Sequence, residues 1–223
     1  MLYDEELDTT LLREKRFRMV ETQIRLRSIH DKRVLESMKR VPRHLFVSDE
    51  HKEVAYGDHP VPVGYGKNLD QPFLIGVMMQ ALDLRPQHRV LEVGTGCGYH
   101  ASLLAEVASE VYTVSRHAKL HQVACSRFKE YQCHNVRPTT AKKTIGWSTH
   151  APYDRILVNG ALPCIPKELV KQLGPRGVLV TVVGKGNQEI IKFVKTGDDY
   201  ARLKIAEVCN VPLISNHKVT PLT

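Results

Sequence analysis

The stretch EVGTGCGY, residues 92–99, combines residue types and a spacing suited to holding a nucleoside-like ligand. Glycine has no Cβ, so a glycine-rich turn lets the backbone approach a ligand closely. A dinucleotide-binding loop reads GxGxxG, whereas this loop reads GxGxG and places the bulky Tyr99 where the third glycine would stand. The spacing therefore disfavours NAD and FAD. It favours S-adenosylmethionine, which has no phosphate and whose cationic amino-acid end the Glu92 carboxylate is suited to orient.

This loop is predicted to connect a strand to a helix, the place where α/β sheets bind nucleotide-like ligands. An apolar run precedes it at residues 90–93, and a helical segment follows to residue 105. A turn with a purely structural role in another doubly wound fold is the alternative. The predicted cofactor contacts within the loop are Glu92, Gly94, Thr95, Gly96 and Gly98.

The second half of the chain alternates short apolar runs with helical segments, which is typical of a parallel sheet covered on both faces. The predicted strands after the loop cover residues 111–114, a segment from 136, 155–158 and 177–183. Residues 190–195 and 200–208 predict an antiparallel hairpin. We therefore predict an α/β fold of the class I S-adenosylmethionine-dependent methyltransferase type. Its sheet is Rossmann-like, doubly wound and mostly parallel, with a C-terminal antiparallel hairpin.

The first part of the chain is predicted to be an extension of this core. Helices are expected over residues 11–29 and 31–40, and the Gly- and Pro-rich residues 54–66 are expected to form an ordered loop region. Pro72 is predicted to open a further helix. We expect a single domain over residues 1–223, with a helical and loop extension at 1–70 and the Rossmann-like core at 71–223.

Composition limits the class of protein. The 223 residues are 42% hydrophobic and 25% charged, which excludes a disordered chain. The net charge of +8 permits nucleic-acid binding, but no basic run or aromatic ladder supports it. Five scattered cysteines, an acidic N-terminus and the lack of an apolar run of about 18 residues predict a cytoplasmic protein with no membrane contact. The histidine spacing predicts no metal site.

From about residue 13 to 214 the chain resembles the protein-L-isoaspartate O-methyltransferases, which repair isomerised aspartyl residues in damaged proteins. The motifs that carry the resemblance are VPRHLFV at 41–47, AYGD at 55–58, PVGYG at 62–66, QP at 71–72, VLEVGTGCGY at 90–99 and VPL at 211–213. The resemblance implies methyl transfer from S-adenosylmethionine to the free carboxyl of isoaspartyl proteins or peptides, with S-adenosylhomocysteine as product. It also implies a monomer without metal. That carboxyl is ionised at pH 7, so positioning rather than a general base should drive the reaction.

By resemblance, the substrate-side residues are Gln71, Pro72, Val211, Pro212 and Leu213, and the catalytic-loop position is residue 70. The family has serine at this position, whereas this chain has Asp70. Two carboxylates about 4 Å apart repel by roughly 4 kcal/mol at an effective dielectric constant of 20, which would disfavour an anionic acceptor. The alternative is that Asp70 caps the helix that begins near Pro72.

Two further positions depart from the family on the cofactor side. The resemblance implies an acidic residue at 115 that binds the ribose hydroxyls, and an aspartate at 143 near the adenosine. This chain has Ser115 and Lys143. A neutral hydrogen bond contributes less than one to a charged group, so weaker cofactor binding is expected. Lysine has donors only and cannot replace an acceptor.

Three functions remain open at this point. The first is a divergent isoaspartyl methyltransferase. The second is a methyltransferase with a different acceptor, for which Asp70 would serve as general base. The third is a degenerate family member with weak or no cofactor binding that acts as a binding module.

Overall fold

A seven-stranded sheet forms the centre of the molecule in a computed structural model that describes residues 8–141, 145–197, 199–209 and 221–222. The first two strands of the chain form a separate hairpin: β1 (Val61–Gly64) and β2 (Lys67–Leu69). The strands of the main sheet are β3 (Arg89–Val93), β4 (Glu110–Ser115), β5 (Val136–Thr140), β6 (Tyr153–Leu162), β7 (Leu173–Val183), β8 (Gln188–Thr196) and β9 (Asp199–Val208). The α-helices are α1 (Thr10–Met19), α2 (Lys32–Arg40), α3 (Pro72–Ala81), α4 (Tyr99–Ala105), α5 (Ala118–Glu130) and α6 (Lys167–Val170).

The strand order is β5-β4-β3-β6-β7-β8-β9. The pairings from β5 through β4, β3 and β6 to β7 are parallel, whereas β8 pairs antiparallel with both β7 and β9. This arrangement confirms the predicted doubly wound, mostly parallel sheet and its C-terminal antiparallel hairpin. The chain reverses its direction of winding between β3 and β6, so a crevice opens beyond the carboxyl ends of these two strands.

Both faces of the sheet are buried along the central strands β3, β4 and β6, as the continuous apolar runs predicted, whereas β9 is mostly exposed. Along β3, Val90 belongs to one apolar cluster and Leu91 to the other, because successive side chains of a strand point to opposite faces. The larger cluster also contains Met38 and Ile75 from the N-terminal elements. The extension therefore packs directly on the face of the sheet that Val90 and Glu92 share.

The N-terminal helices agree with the prediction in part. Helix α2 begins where predicted, and its N-cap Asp31 accepts a hydrogen bond from the backbone of Arg33. The segment predicted as one helix over residues 11–29 is α1 followed by a π-helical turn (Val20–Ile24) and a 3₁₀ turn (Arg25–Arg27), which ends at Ser28 with φ of +69°. None of the described helices is long and apolar enough to cross a membrane.

The hairpin of β1 and β2 was not predicted, because residues 54–66 were interpreted as loop throughout. A two-residue turn joins the strands, with Tyr65 at φ of +54° and Gly66 at φ of +66°. The Tyr65 ring packs on the His117 ring, with 4.9 Å between the ring centroids. Tertiary contact thus accompanies a turn conformation that a bulky residue rarely adopts alone.

Candidate active site

The glycine loop runs from the end of β3 at Val93 to the start of α4 at Tyr99. Gly94 has φ of +102°, and a Cβ there would lie 2.9 Å from the backbone oxygen of Asn159. Gly98 has φ of +95°, and a Cβ there would lie 3.0 Å from the Phe128 ring. Packing thus requires glycine at both positions. At Gly96 a Cβ would meet nothing within 4 Å, so the middle of the loop faces open space.

Asn159, in β6, joins the glycine loop to the neighbouring strand. Its side-chain amide donates to the Gly94 carbonyl at 3.0 Å and to the Glu92 carboxylate at 2.6 Å. Its side-chain oxygen is buried and has no hydrogen-bond partner among the described residues. These contacts lie where β3 and β6 diverge, which is the predicted binding crevice.

Glu92 is fully buried. One carboxylate oxygen accepts from Asn159, and the other accepts a short hydrogen bond from the Thr113 hydroxyl in β4. Burial raises the pKa of Glu92 to about 8, although both hydrogen bonds lower it. Both oxygens of the carboxyl group thus accept hydrogen bonds from the protein, and the group lies beneath the loop rather than on its surface.

Thr95 extends this network into the loop itself. Its hydroxyl lies 2.7 Å from the Thr113 hydroxyl, and both side chains are buried. A continuous chain of hydrogen bonds therefore runs from Thr95 through Thr113, Glu92 and Asn159 to the Gly94 carbonyl. These hydrogen bonds connect the three strands β3, β4 and β6 to the glycine loop.

The amino-acid end of S-adenosylmethionine fits the residues present. The open space at Gly96 leaves room for a ligand, and the unpartnered oxygen of Asn159 is an acceptor of the kind that an amino group requires. The loop between β3 and α4 would hold this part of the cofactor. Neutral acceptors and the loop backbone would contact this end of the cofactor. Glu92 lies beneath the loop and would support it.

The residue predicted to contact the ribose has different surroundings from the glycine loop. Ser115 closes β4, and its buried hydroxyl donates to the His117 carbonyl at 3.2 Å and accepts from the His117 N–H at 3.2 Å. Beyond it, the exposed Tyr65 ring packs on His117, and the Lys119 ammonium lies 5.7 Å from the centre of that ring. The hydroxyl predicted to meet the ribose is thus already used in a local turn.

Asp70 lies between β2 and α3 and is half-buried. Burial raises its pKa to about 6, and the charge of Arg43 acts in the opposite direction. The N-cap of α3 is Gln71, which makes no side-chain capping bond, so the structure does not give Asp70 a capping role. No hydrogen bond links the Asp70 carboxyl to another of the described residues.

Arg43 connects Asp70 to the glycine loop. Its guanidinium is fully buried and donates to the backbone carbonyls of Ala55 at 2.7 Å and Asp70 at 2.6 Å. The same guanidinium lies 5.4 Å from the centre of the Tyr99 ring, at the end of the glycine loop. The structure therefore brings the loop that contains Asp70 to the same guanidinium as the cofactor loop.

The remaining predicted site residues divide into two groups. Gln71 and Pro72 follow Asp70 directly, at the N-cap and first residue of α3. Lys143, Val211, Pro212 and Leu213 lie outside the described residues. Among the described residues, no group of three or more His, Cys, Asp or Glu side chains could hold a metal ion.

Three residues of this region were not predicted as site residues: Arg43, Thr113 and Asn159. A signal existed for Asn159, because a polar residue directly follows the apolar run ILV at 156–158 and thus ends a central strand. Arg43 lies in the VPRHLFV motif at 41–47, which was not given a role in the site, and Thr113 had no comparable signal. Their partners are 27 and 21 residues away in the chain.

Comparisons with known proteins agree with this geometry. The sequence profile of the protein-L-isoaspartate(D-aspartate) O-methyltransferase family matches residues 14–218. Protein-L-isoaspartate O-methyltransferase 1 of Syntrophobacter fumaroxidans is 42% identical over 184 residues, which cover 82% of this chain and 86% of the relative. The protein-L-isoaspartate O-methyltransferase of Methanoculleus marisnigri is 42% identical over 203 residues, which cover 91% of this chain and 92% of the relative.

A solved structure extends the likeness to the fold. It is that of a putative protein-L-isoaspartate O-methyltransferase from Plasmodium falciparum in complex with S-adenosyl-L-homocysteine, with a TM-score of 0.76 and 19% identity. The match covers 90% of this chain and 99% of that chain. At this identity the likeness concerns the fold alone, and it confirms the predicted class I methyltransferase architecture. The profile and the relatives confirm the resemblance found in the motifs: the chain belongs to the protein-L-isoaspartate(D-aspartate) O-methyltransferase family.

Proposed function

We propose that this chain transfers a methyl group from S-adenosylmethionine to the free carboxyl of isoaspartyl residues in damaged proteins or peptides. The product is a methyl ester, and S-adenosylhomocysteine is released. The observation that carries the proposal is the joint placement of the glycine loop and the Asp70 loop around Arg43, in a chain that matches the family from residue 14 to 218.

On the cofactor side, Gly94, Gly96 and Gly98 provide the backbone surface for the ligand. Glu92 and Thr95 act from beneath, by fixing the loop through Thr113 and Asn159. When bound, S-adenosylmethionine supplies a methyl group activated by the positive sulfonium. The chain contributes the position of the two reactants and the exclusion of water from the crevice.

On the acceptor side, Asp70 is the residue proposed to face the carboxyl that is methylated. Gln71 and Pro72 continue the same surface at the start of α3. Val211, Pro212 and Leu213 complete the proposed substrate side by resemblance. The acceptor carboxylate is ionised above about pH 4, so no residue has to remove a proton from it.

A degenerate member of the family with weak cofactor binding is the second candidate, and Ser115 is the observation that favours it. Its hydroxyl is bonded to the backbone of His117, so the ribose receives no carboxylate at this position. Lys143 is proposed to lie near the adenosine, where it would add a donor in place of an acceptor.

One experiment separates these functions. S-adenosylhomocysteine is titrated into the protein by calorimetry, and methyl transfer is then measured on an isoaspartyl peptide and on the same peptide with ordinary aspartate. The proposal expects binding, and transfer to the isoaspartyl peptide alone. Absent or millimolar binding would identify the degenerate member. Binding without transfer to the isoaspartyl peptide would point to a different acceptor, with Asp70 as general base.

We further propose a monomer in the cytoplasm, built as one domain, that does not bind nucleic acid. The five cysteines are free, which suits a reducing compartment. One apolar cluster joins the N-terminal elements to the sheet, which supports a single folding unit. Sedimentation velocity tests the monomer. Limited proteolysis, which would release a stable fragment from a two-domain chain, tests the single domain.

A further inference from the structure

The Asp70 carboxyl is the one part of the acceptor loop whose chemistry the methyl transfer does not explain. The side chain is half-buried, and no hydrogen bond to another described residue satisfies it. A carboxyl that is partly withdrawn from water and makes no hydrogen bond to the protein is available to a ligand. The acceptor that this loop is proposed to bind is itself a carboxylate.

Arg43 sets the electrostatic surroundings of this carboxyl. Its guanidinium is fully buried, and one of its nitrogens, Nη1, has no hydrogen-bond partner among the described residues. Another nitrogen holds the backbone carbonyl of Asp70 itself at 2.6 Å. A buried guanidinium requires negative charge nearby. One carboxylate neutralises the single positive charge of Arg43. Two ionised carboxylates beside it would leave one negative charge without a counter-charge.

The other titratable groups around Arg43 do not change this balance. Burial lowers the pKa of His100, in α4, to about 3, so this ring is neutral. Burial raises the pKa of Tyr56 to about 12, and it also raises the pKa values of Tyr99 and Cys97. All four groups are therefore uncharged near neutral pH. Arg43 is the charged group that acts on Asp70.

We propose that Asp70 receives the acceptor in its protonated form and donates a hydrogen bond to the carboxylate oxygen that is not methylated, while Arg43 is the positioning residue that balances the single shared negative charge. This inference rests on the proposed function. The attacking oxygen forms the new bond to the methyl carbon, and the electron pair of the broken carbon–sulfur bond stays on sulfur. The proton on Asp70 remains between the two carboxyl groups and is not consumed.

The pH dependence of acceptor binding follows from this arrangement. In the free protein the pKa of Asp70 is about 6, so the fraction that carries the proton falls tenfold for each pH unit above that value. The negative acceptor raises the pKa of Asp70 further, because two adjacent carboxylates cannot both ionise at low cost. The affinity for an isoaspartyl peptide should therefore fall about 50-fold between pH 6 and pH 8.

The test measures the affinity of the protein, saturated with S-adenosylhomocysteine, for an isoaspartyl peptide by fluorescence anisotropy from pH 5.5 to 8.5. Asp70→Asn is permanently neutral and keeps a donor, so its affinity should not vary with pH and should exceed the native affinity about 100-fold at pH 8. Asp83→Asn is the matched control, since Asp83 lies between α3 and β3 and is half-exposed. It should keep the native pH dependence.

Two substitutions of Arg43 test its role separately. Arg43→Lys keeps the charge but loses the planar fork, whereas Arg43→Gln removes the charge that lowers the pKa of Asp70. With Gln, the fall in affinity should move to higher pH. A purely structural role would weaken binding equally at all pH values. If either variant does not fold, a ¹³C NMR titration of Asp70 in the native protein, with and without peptide, replaces it; the peptide should raise the pKa of Asp70 by about two units or more.

The failure of this inference can be distinguished from the failure of the proposed function. An isoaspartyl peptide that is methylated and bound with the same affinity from pH 6 to 8 overturns the protonated Asp70 and leaves the activity standing. Native pH dependence in Asp70→Asn overturns it as well. A protein that binds S-adenosylhomocysteine but methylates no isoaspartyl peptide at pH 5.5 overturns the proposed function.

Discussion

Glu92 and Asp70 are both acidic residues removed from water, but their surroundings differ. Glu92 is fully buried, and its two oxygens accept hydrogen bonds from Thr113 and Asn159. Asp70 is half-buried and has no such donor among the described residues, only the charge of Arg43 nearby. The Glu92 carboxyl therefore supports the glycine loop, whereas the Asp70 carboxyl on the proposed acceptor side remains available to a ligand.

The difference shows how environment assigns roles to identical functional groups. A carboxyl that accepts hydrogen bonds from two neighbouring strands is a structural element. Its removal should destabilise the loop that it supports. A carboxyl without a hydrogen-bond partner in the protein adds little to folding, and we propose that the Asp70 carboxyl serves ligand binding.

Glu92→Leu should give the largest effect. The substitution leaves the donors of Thr113 and Asn159 without an acceptor, and each buried unsatisfied group costs about 1–3 kcal/mol. We expect the free energy of unfolding to fall by about 2–5 kcal/mol, measured by urea denaturation. A loss below about 0.5 kcal/mol would mean that the network does not support the loop.

Asp70→Asn should act in the opposite direction. The folded-state pKa of Asp70 is about 6, above its value of 3.8 in the unfolded chain, so ionisation in the folded state is unfavourable. This penalty is absent below about pH 4, grows between pH 4 and 6, and reaches at most about 3 kcal/mol above pH 6. The variant should therefore be more stable than the native protein at pH 8 and equally stable near pH 4. Equal stability at both pH values would contradict the assignment.

Asn159→Leu tests the cofactor side without changing either acid. The loss of the donor to Glu92 and to Gly94 should weaken the binding of S-adenosylhomocysteine by about 1–3 kcal/mol, measured by calorimetry. Asn135→Leu is the matched control, because its side chain also donates to two groups, the carbonyls of Ala105 and Ala108, outside the site. It should lose stability but keep the ligand affinity.

Ser115→Glu should give the smallest effect, and it is a gain. A carboxylate at the end of β4 restores an acceptor for the ribose, and hydrogen bonds to charged groups exceed neutral ones by about 1 kcal/mol. We expect S-adenosylhomocysteine to bind roughly 5- to 10-fold more tightly. Unchanged affinity in calorimetry would show that the ribose is held elsewhere.

Local patterns were enough to predict the scaffold of the cofactor side. Apolar runs and the glycine loop follow from neighbouring residues, so the strands of the parallel sheet and the turn at Gly94 could be anticipated. The hairpin around Tyr65 could not, because its turn depends on contact with His117, far along the chain. The partners of the two acids were missed for the same reason. Thr113 and Asn159 reach Glu92 only once the strands are aligned, and Arg43 reaches Asp70 only once the extension has packed.

Methyl transfer to an isoaspartyl peptide tests the central claim most directly. The native protein is incubated at pH 6 with S-adenosylmethionine and an isoaspartyl peptide, and mass spectrometry follows the methylated product. We expect the isoaspartyl peptide to gain one methyl group and the matched aspartyl peptide to gain none. Equal methylation of both peptides, or of neither, would contradict this claim.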